Sequence, residues 1–237
     1  MDVDDRRGDP ARMRHAGSFR ILLLLLAASL AARTAAAQTA IALPDATGNL
    51  TAPDGWTVLS AGDLDAMTRA SDPQDGPALA ALLAVIGDIK AAGRTQANLV
   101  MHRPGSAAGQ IRILDAYSAP TPVTAAELHT AASIEQIRNT FEEHLSRTAT
   151  KVVFHGESRP ELFAVGSLAL TFRLDLPSAT LHKQLIVVPA GDRLQYFEAT
   201  FAPDDLDAAT AIAGVLRTFD GAREPVDDDI VRKMLLG

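Results

Sequence analysis

The stretch from residue 151 to residue 201 constrains the fold more than any other part of the sequence. Four strand-like runs, Lys151–Gly156, Leu168–Leu176, Leu181–Val188 and Leu194–Phe201, follow one another, with Pro160, Pro177-Ser178 and Pro189-Ala190-Gly191-Asp192 marking the turns. Connections as short as the last two join antiparallel neighbours, because a parallel crossover needs roughly a dozen residues or more. In the second run Leu168, Leu170, Phe172, Leu174 and Leu176 alternate with Ala169, Thr171, Arg173 and Asp175. That is the pattern of a strand with one buried face. An antiparallel meander is expected, and its apolar face needs a cover.

Helices supply the cover. Thr124-Ala125-Ala126-Glu127 is a capping box, and the helix it opens is expected to run to about Arg147. Leu128, Ala131, Ile134, Ile137, Phe141 and Leu145 form its apolar stripe, while Glu135, Arg138, Glu142 and Arg147 face water. A last helix starts at Pro203-Asp204-Asp205, turns Leu206, Ala209, Ile212, Ala213 and Leu216 inward, and ends at Thr218-Phe219-Asp220-Gly221. Upstream, the turn Pro53-Asp54-Gly55 leads into a short strand, Trp56–Leu59, and then a short helix from Ser60 to about Ala70. A loop over 71–77 precedes a buried helix from Pro77 to Gly93, and Asn98–Arg103 with Ile111–Tyr117 reads as a hairpin. The fold class is therefore α+β: an antiparallel sheet packed with helices as an α/β sandwich. One domain spans 51–221, after a lead-in segment or first short strand at 38–50 and before a C-terminal tail at 222–237. No repeat or interdomain linker interrupts it.

The N-terminus carries an address. Arg12, Arg14 and Arg20 precede the apolar run Ile21–Ala32, and Ala35 and Ala37 fit an A-x-A cleavage site before Gln38. Twelve helical residues rise only about 18 Å against roughly 30 Å of hydrocarbon, so the run is short for a membrane span. Residues 1–37 are expected to be a signal peptide removed near Ala37-Gln38, which delivers the chain to the periplasm or the extracellular space. The acidic first twelve residues are unusual for such a signal and make Met13 a second candidate for the initiator.

The whole chain has 22 basic and 29 acidic residues; the segment takes six Arg and four Asp with it, leaving 16 and 25, a net charge of −9. An acidic domain without a basic run is a poor partner for nucleic acid or anionic lipid, which require phosphate neutralisation. With no cysteine in the chain, disulfides, thiol nucleophiles and thiolate metal sites are excluded.

Three segments carry a family resemblance: Pro53-Asp54-Gly55-Trp56, the meander end LHKQLIVVPAGDRLQYFEATF, and the closing AIAGVLRTFDG. They resemble the PsbP/Mog1-like superfamily, in particular its exported bacterial members of unknown function. The resemblance covers about residues 50–221, and the segment 71–93 departs from the simplest version of that fold. It implies an α/β sandwich serving as a non-enzymatic binding or assembly module.

The residues themselves offer little chemistry. His102, His129, His144, His155 and His182 include no pair at metal-ligand spacing; His102, His155 and His182 lie on three different strand candidates and could meet only by folding. Ser158 and Ser167 lack the second glycine of a nucleophile elbow, and Ser167 reads as a strand opening. Pro104–Gly109 lacks the ending of a phosphate-binding loop. Glu142-Glu143 and Asp227-Asp228-Asp229 read as solvated charge. No catalytic residue, metal or cofactor is expected.

Trp56 reads either as a ligand anchor or as a core residue, and after its turn the core position is expected. In LQYFEATF, Phe197, Ala199 and Phe201 form the buried set, which points Tyr196 and Glu198 to the other face, with Arg173 and His182. An exposed sheet face with Tyr, Arg and His suits an interface. The expected function is an exported, non-enzymatic domain that binds a protein or envelope partner through Arg173, His182, Tyr196 and Glu198. One alternative is a carrier of a small apolar ligand between sheet and helices, marked by a pocket lined by Phe172, Phe197 and Phe201. The other is a hydrolase with residues converging from distant strands.

Overall fold

The computed structural model of the protein describes residues 40–59, 99–104, 111–177 and 179–224. The expected signal peptide, the helices expected between Ser60 and Gly93, the turn after Pro104 and the last thirteen residues lie outside these. The described residues belong to one compact unit.

The short connections of the meander give the hairpins they imply. β6 (Lys151–Ser158), β7 (Leu168–Asp175), β8 (Thr180–Pro189) and β9 (Leu194–Phe201) pair in succession, all antiparallel. β3 (Thr57–Leu59), β4 (Leu99–Pro104) and β5 (Ile111–Ala119) do the same. The two groups join where β5 pairs with β9, from Ile113 opposite Thr200 to Ala119 opposite Leu194. The result is a seven-stranded sheet in the order β3-β4-β5-β9-β8-β7-β6.

Each face of this sheet buries its own core. On one face Ile113, Leu170, Phe172, Leu174, Leu181 and Leu185 pack with Leu128, Ile134, Phe141 and Leu145. The last four come from α1 (Ala125–Leu128) and α2 (Ala131–Leu145). On the other face Trp56, Met101, Leu114, Ile186 and Phe197 meet Ile212, Val215, Leu216 and Phe219, largely from α3 (Ala208–Leu216). Phe163 lies parallel to Phe197, ring centroids 6.3 Å apart, and so brings the β6–β7 connection into the same core. Trp56 is 6 % exposed and sits in this core.

Two expectations need correction. The run 124–147 forms two helices. The Thr124–Glu127 capping box forms, with Thr124 Oγ1 accepting from the Glu127 amide at 3.2 Å, but α1 lasts a single turn. Thr130 then caps α2 by accepting from the Ser133 amide at 3.2 Å. A threonine that can bond the backbone locally offers the chain a second helix start. Ala131, placed in the apolar stripe, is exposed at that start.

The last helix begins at Ala208, and its buried stripe is Ala208, Ile212, Val215 and Leu216. Leu206 is 89 % exposed. The cause is Asp205, which is buried and accepts from Arg112 Nε and Nη2, both at 2.6 Å. A planar, doubly bonded guanidinium fixes the carboxylate's place and so delays the helix start.

Residues 40–51 are a docked strap with a hairpin of their own, β1 (Ala40–Ala42) on β2 (Asn49–Thr51). The Asn49 amide donates to Asp220 Oδ1 at 2.6 Å, and the Thr51 amide to Thr218 Oγ1 at 2.8 Å. Gly48, at φ 152°, lies so close to Gly221 that an added Cβ would stand 2.7 Å from the Gly221 Cα. Thr47 Oγ1 donates to the buried Gln195 Oε1 at 2.6 Å.

The Arg112–Asp205 pair should dominate single-site stability. Replacing Arg112 by Leu leaves a buried carboxylate without its cation, with an expected loss of about 3–5 kcal/mol in urea unfolding. The double replacement Arg112→Leu with Asp205→Leu is expected to recover most of that loss. A single variant as stable as the parent would show the pair to be dispensable.

Candidate functional site

Strand pairing decides which of the candidate residues share a face. β9 places Leu194, Tyr196, Glu198 and Thr200 toward α1 and α2, and Phe197, Ala199 and Phe201 toward α3. Tyr196 and Glu198 thus lie opposite the Phe197 set, as the alternation predicts. Arg173 and His182 do not join them. They pair directly across β7 and β8, and His182 contacts the Phe201 ring at 5.7 Å, on the other face. The four residues form two groups separated by the sheet. Nor is Glu198 exposed: it is buried, with Lys183 Nζ 2.9 Å from its Oε2. Asp115, also buried, stands directly opposite Glu198 across β5 and β9. An apolar layer with charges of both signs keeps them there only as partners.

Beside this buried charge, on the same face, lies a cleft of about 470 Å³ between α2 and the sheet. Its floor includes Leu185, Leu194 and the two tyrosines, Tyr117 opposite Tyr196. Their rings stack on one another, with centroids 5.0 Å apart and planes only 5° from parallel. The helix side supplies Ile137 and Phe141 with the polar Ser133, Gln136, Thr140 and His144. An apolar floor with a few polar groups on one wall is the usual make-up of a small-molecule site. The pocket expected from Phe172, Phe197 and Phe201 is not this one. Phe172 is packed between Phe141 and Phe154, each 5.3 Å away, and Phe197 fills the opposite core.

The second group sits on the other face, toward the β6 edge. His155 and His182 have ring centroids 6.0 Å apart, although β7 runs between their strands. A bulge makes this contact. The register of β6 on β7 shifts between Phe154 and Gly156, so His155 is the extra residue, and Gly156 holds φ 147°. Only glycine takes that conformation without strain, and a bulge re-aims the side chain it displaces. Arg173 Nη2 reaches Asp175 Oδ2 at 3.2 Å. Its Nε is buried with no hydrogen-bond partner among the described residues. Burial holds His182 below the ordinary imidazole value of 6.5, and the neighbouring His155 and Arg173 push the same way.

The other candidates remain apart. His129 closes α1 and its imidazole is also held low by burial, next by Arg159. Ser167 Oγ donates to the Pro160 carbonyl at 2.9 Å just before β7, a structural bond. Among the described residues no three His, Asp or Glu side chains come together as a metal site, and no helix is long and apolar enough to cross a membrane.

No family model and no curated protein matches the chain. Among solved structures it is similar to the PsbP of the cyanobacterium Synechocystis. That chain is 13 % identical over 79 % of this chain and 95 % of its own, with a TM-score of 0.47. It is also similar to PA94, a Pseudomonas aeruginosa protein of unknown function, 11 % identical over 55 % of this chain and 85 % of that one, with a TM-score of 0.41. The sandwich architecture itself rests on the strand order and packing described above.

Two outcomes test the corner. Because the folded pKa of His182 lies below its unfolded value, the unfolded state takes up the proton first. Stability should therefore be complete above about pH 7 and decline as pH falls below 6.5. His182→Gln should flatten that decline in unfolding midpoints between pH 8 and 5, and an unchanged slope would refute the assignment. Gly156→Ala should cost about 1 kcal/mol or more from its positive φ, and should separate the two imidazole resonances from one another's influence in NMR titrations.

Proposed function

We propose that the protein is an exported, non-enzymatic binding domain whose cleft between α2 and the sheet holds a small, largely apolar ligand. The observation that carries this reading is the paired Tyr117–Tyr196 floor under a cleft of about 470 Å³. Cavities of about 300–1,000 Å³ take drug-sized ligands, and the stacked tyrosine pair gives this one a rigid aromatic wall for apolar contact. Ser133, Gln136, Thr140 and His144 along the helix side would orient its polar end. Export rests on the basic, apolar and small-residue pattern of residues 1–37.

Partner binding through a single open face built from Arg173, His182, Tyr196 and Glu198 is not retained, because the sheet divides those residues. A protein or envelope partner at the exposed Arg173–His182 corner is a separate matter from the cleft.

The test uses an apolar fluorescent probe and organic extraction of the purified protein. Probe binding in the micromolar range is expected, together with a co-purifying small molecule in the extract. Ile137→Trp, which fills the cleft from α2, should weaken the probe at least tenfold, about 1.4 kcal/mol, with the unfolding midpoint preserved. Tyr117→Ala, which breaks the aromatic floor, should weaken it by a similar factor. Probe affinity unchanged in both variants would place binding elsewhere and overturn the reading.

A further inference from the structure

The open part of the second face carries a row of cationic groups unlike the rest of this acidic chain. Alternation and register put Lys151 and His155 of β6, Arg173 and Asp175 of β7, and His182 of β8 on that side, with the uncharged Phe201 of β9 bordering His182. Asp175 is the one carboxylate among them. It is engaged from both sides, by Arg173 Nη2 at 3.2 Å and by Thr180 Oγ1 at 3.2 Å. The row carries a net charge of +1 with neutral imidazoles and +3 with both protonated, on a chain whose formal charge is −7. His155 is exposed, and Arg173 keeps 39 % of its side chain accessible.

Two features make this a built arrangement. The Gly156 bulge spends a backbone conformation reserved for glycine to bring His155 across β7 to His182. Such irregularities are costly in a regular ladder and are concentrated next to functional sites. Then the Arg173 side chain, although Nη2 reaches Asp175, keeps 39 % of its surface accessible beside His182. Two imidazole N–H groups and a guanidinium, converging from three neighbouring strands, offer hydrogen bonds and positive charge to one small anion.

We propose that His155, Arg173 and His182 form a binding site for a phosphate-type oxyanion on the face of the sheet opposite the cleft. A tetrahedral oxyanion has enough acceptor oxygens for both rings and the guanidinium at once, and its charge offsets the mutual repulsion of the row. A bound anion and a protonated His182 support each other. The site stands independently of the cleft and of whatever the cleft holds.

The experiment follows the imidazole resonances of His155 and His182 while inorganic phosphate is added to the purified protein at pH 5.5 and at pH 8. In parallel, vesicles of phosphatidylcholine with and without phosphatidylglycerol distinguish a headgroup from a free anion. Phosphate should saturate both resonances and displace the His182 titration to higher pH, by about one unit where the protonated imidazole binds it tenfold tighter than the neutral one. Arg173→Gln and His155→Gln should each weaken this at least fivefold while Tyr117→Ala leaves it unchanged. A response to phosphatidylglycerol vesicles alone, lost in the same two variants, would assign the same site to a lipid headgroup. Resonances that follow neither probe, or that follow them equally in Arg173→Gln, overturn the proposal.

Discussion

The pairing of β5 with β9 is the constraint from which the rest of the molecule follows. It joins strands some eighty positions apart in the chain, from Ile113 with Thr200 to Ala119 with Leu194, and so fuses two antiparallel hairpin groups into one sheet. Closing a loop of that length carries an entropic cost that only extensive burial can offset. The burial comes on both sides at once, because α1 and α2 cover one face of the central strands and α3 with the docked strap covers much of the other. A sheet covered on both sides cannot send its polar side chains to water. Arg112 therefore finds Asp205 on one face, and Lys183 finds Glu198 on the other. These ion pairs are consequences of burial on both faces, and each resists a slip of the strand that carries it, which would turn its charge to the opposite side.

How much of this was legible in the sequence depends on the range over which each signal acts. Period-two alternation is local, and it located β7, β8 and β9 to within a residue at most ends. The same alternation separated Tyr196 and Glu198 from Phe197, Ala199 and Phe201. It could not relate one strand's parity to the next. Whether Arg173 shares a face with Tyr196 depends on the registers of two hairpins, and those are set by turn geometry and packing. The tyrosine pair of the cleft was hidden for the same reason: Tyr117 and Tyr196 meet only through the β5–β9 register.

Other differences have local causes that leave a faint mark. Thr130 sits inside an unbroken helical stripe, and a threonine there is itself a competent cap. Leu206 fits the spacing of the last helix, yet its neighbour Asp205 is claimed by Arg112, far away in the chain. Gly156 was the signal of the bulge open to reading, since an isolated glycine in a strand suggests a bulge as well as an end. Strand β6 continues past it to Ser158.

The division of the two candidate sites between the two faces has a physical logic. An apolar ligand gains by taking apolar surface out of water, which the cleft beside α2 and its adjoining core allows. A charged ligand loses its hydration in such a place and is better held where imidazoles can still exchange protons with solvent. The β6 edge provides that place, because His155 is exposed and the cover from α3 is centred on β5, β8 and β9. His182 and Lys183 are consecutive residues that face opposite ways, one to the cationic corner and one into the buried pair with Glu198. A proton arriving at His182 therefore stands one strand's thickness from a lysine whose charge is already met. His182 therefore answers to its own burial first, and then to His155 and Arg173 beside it.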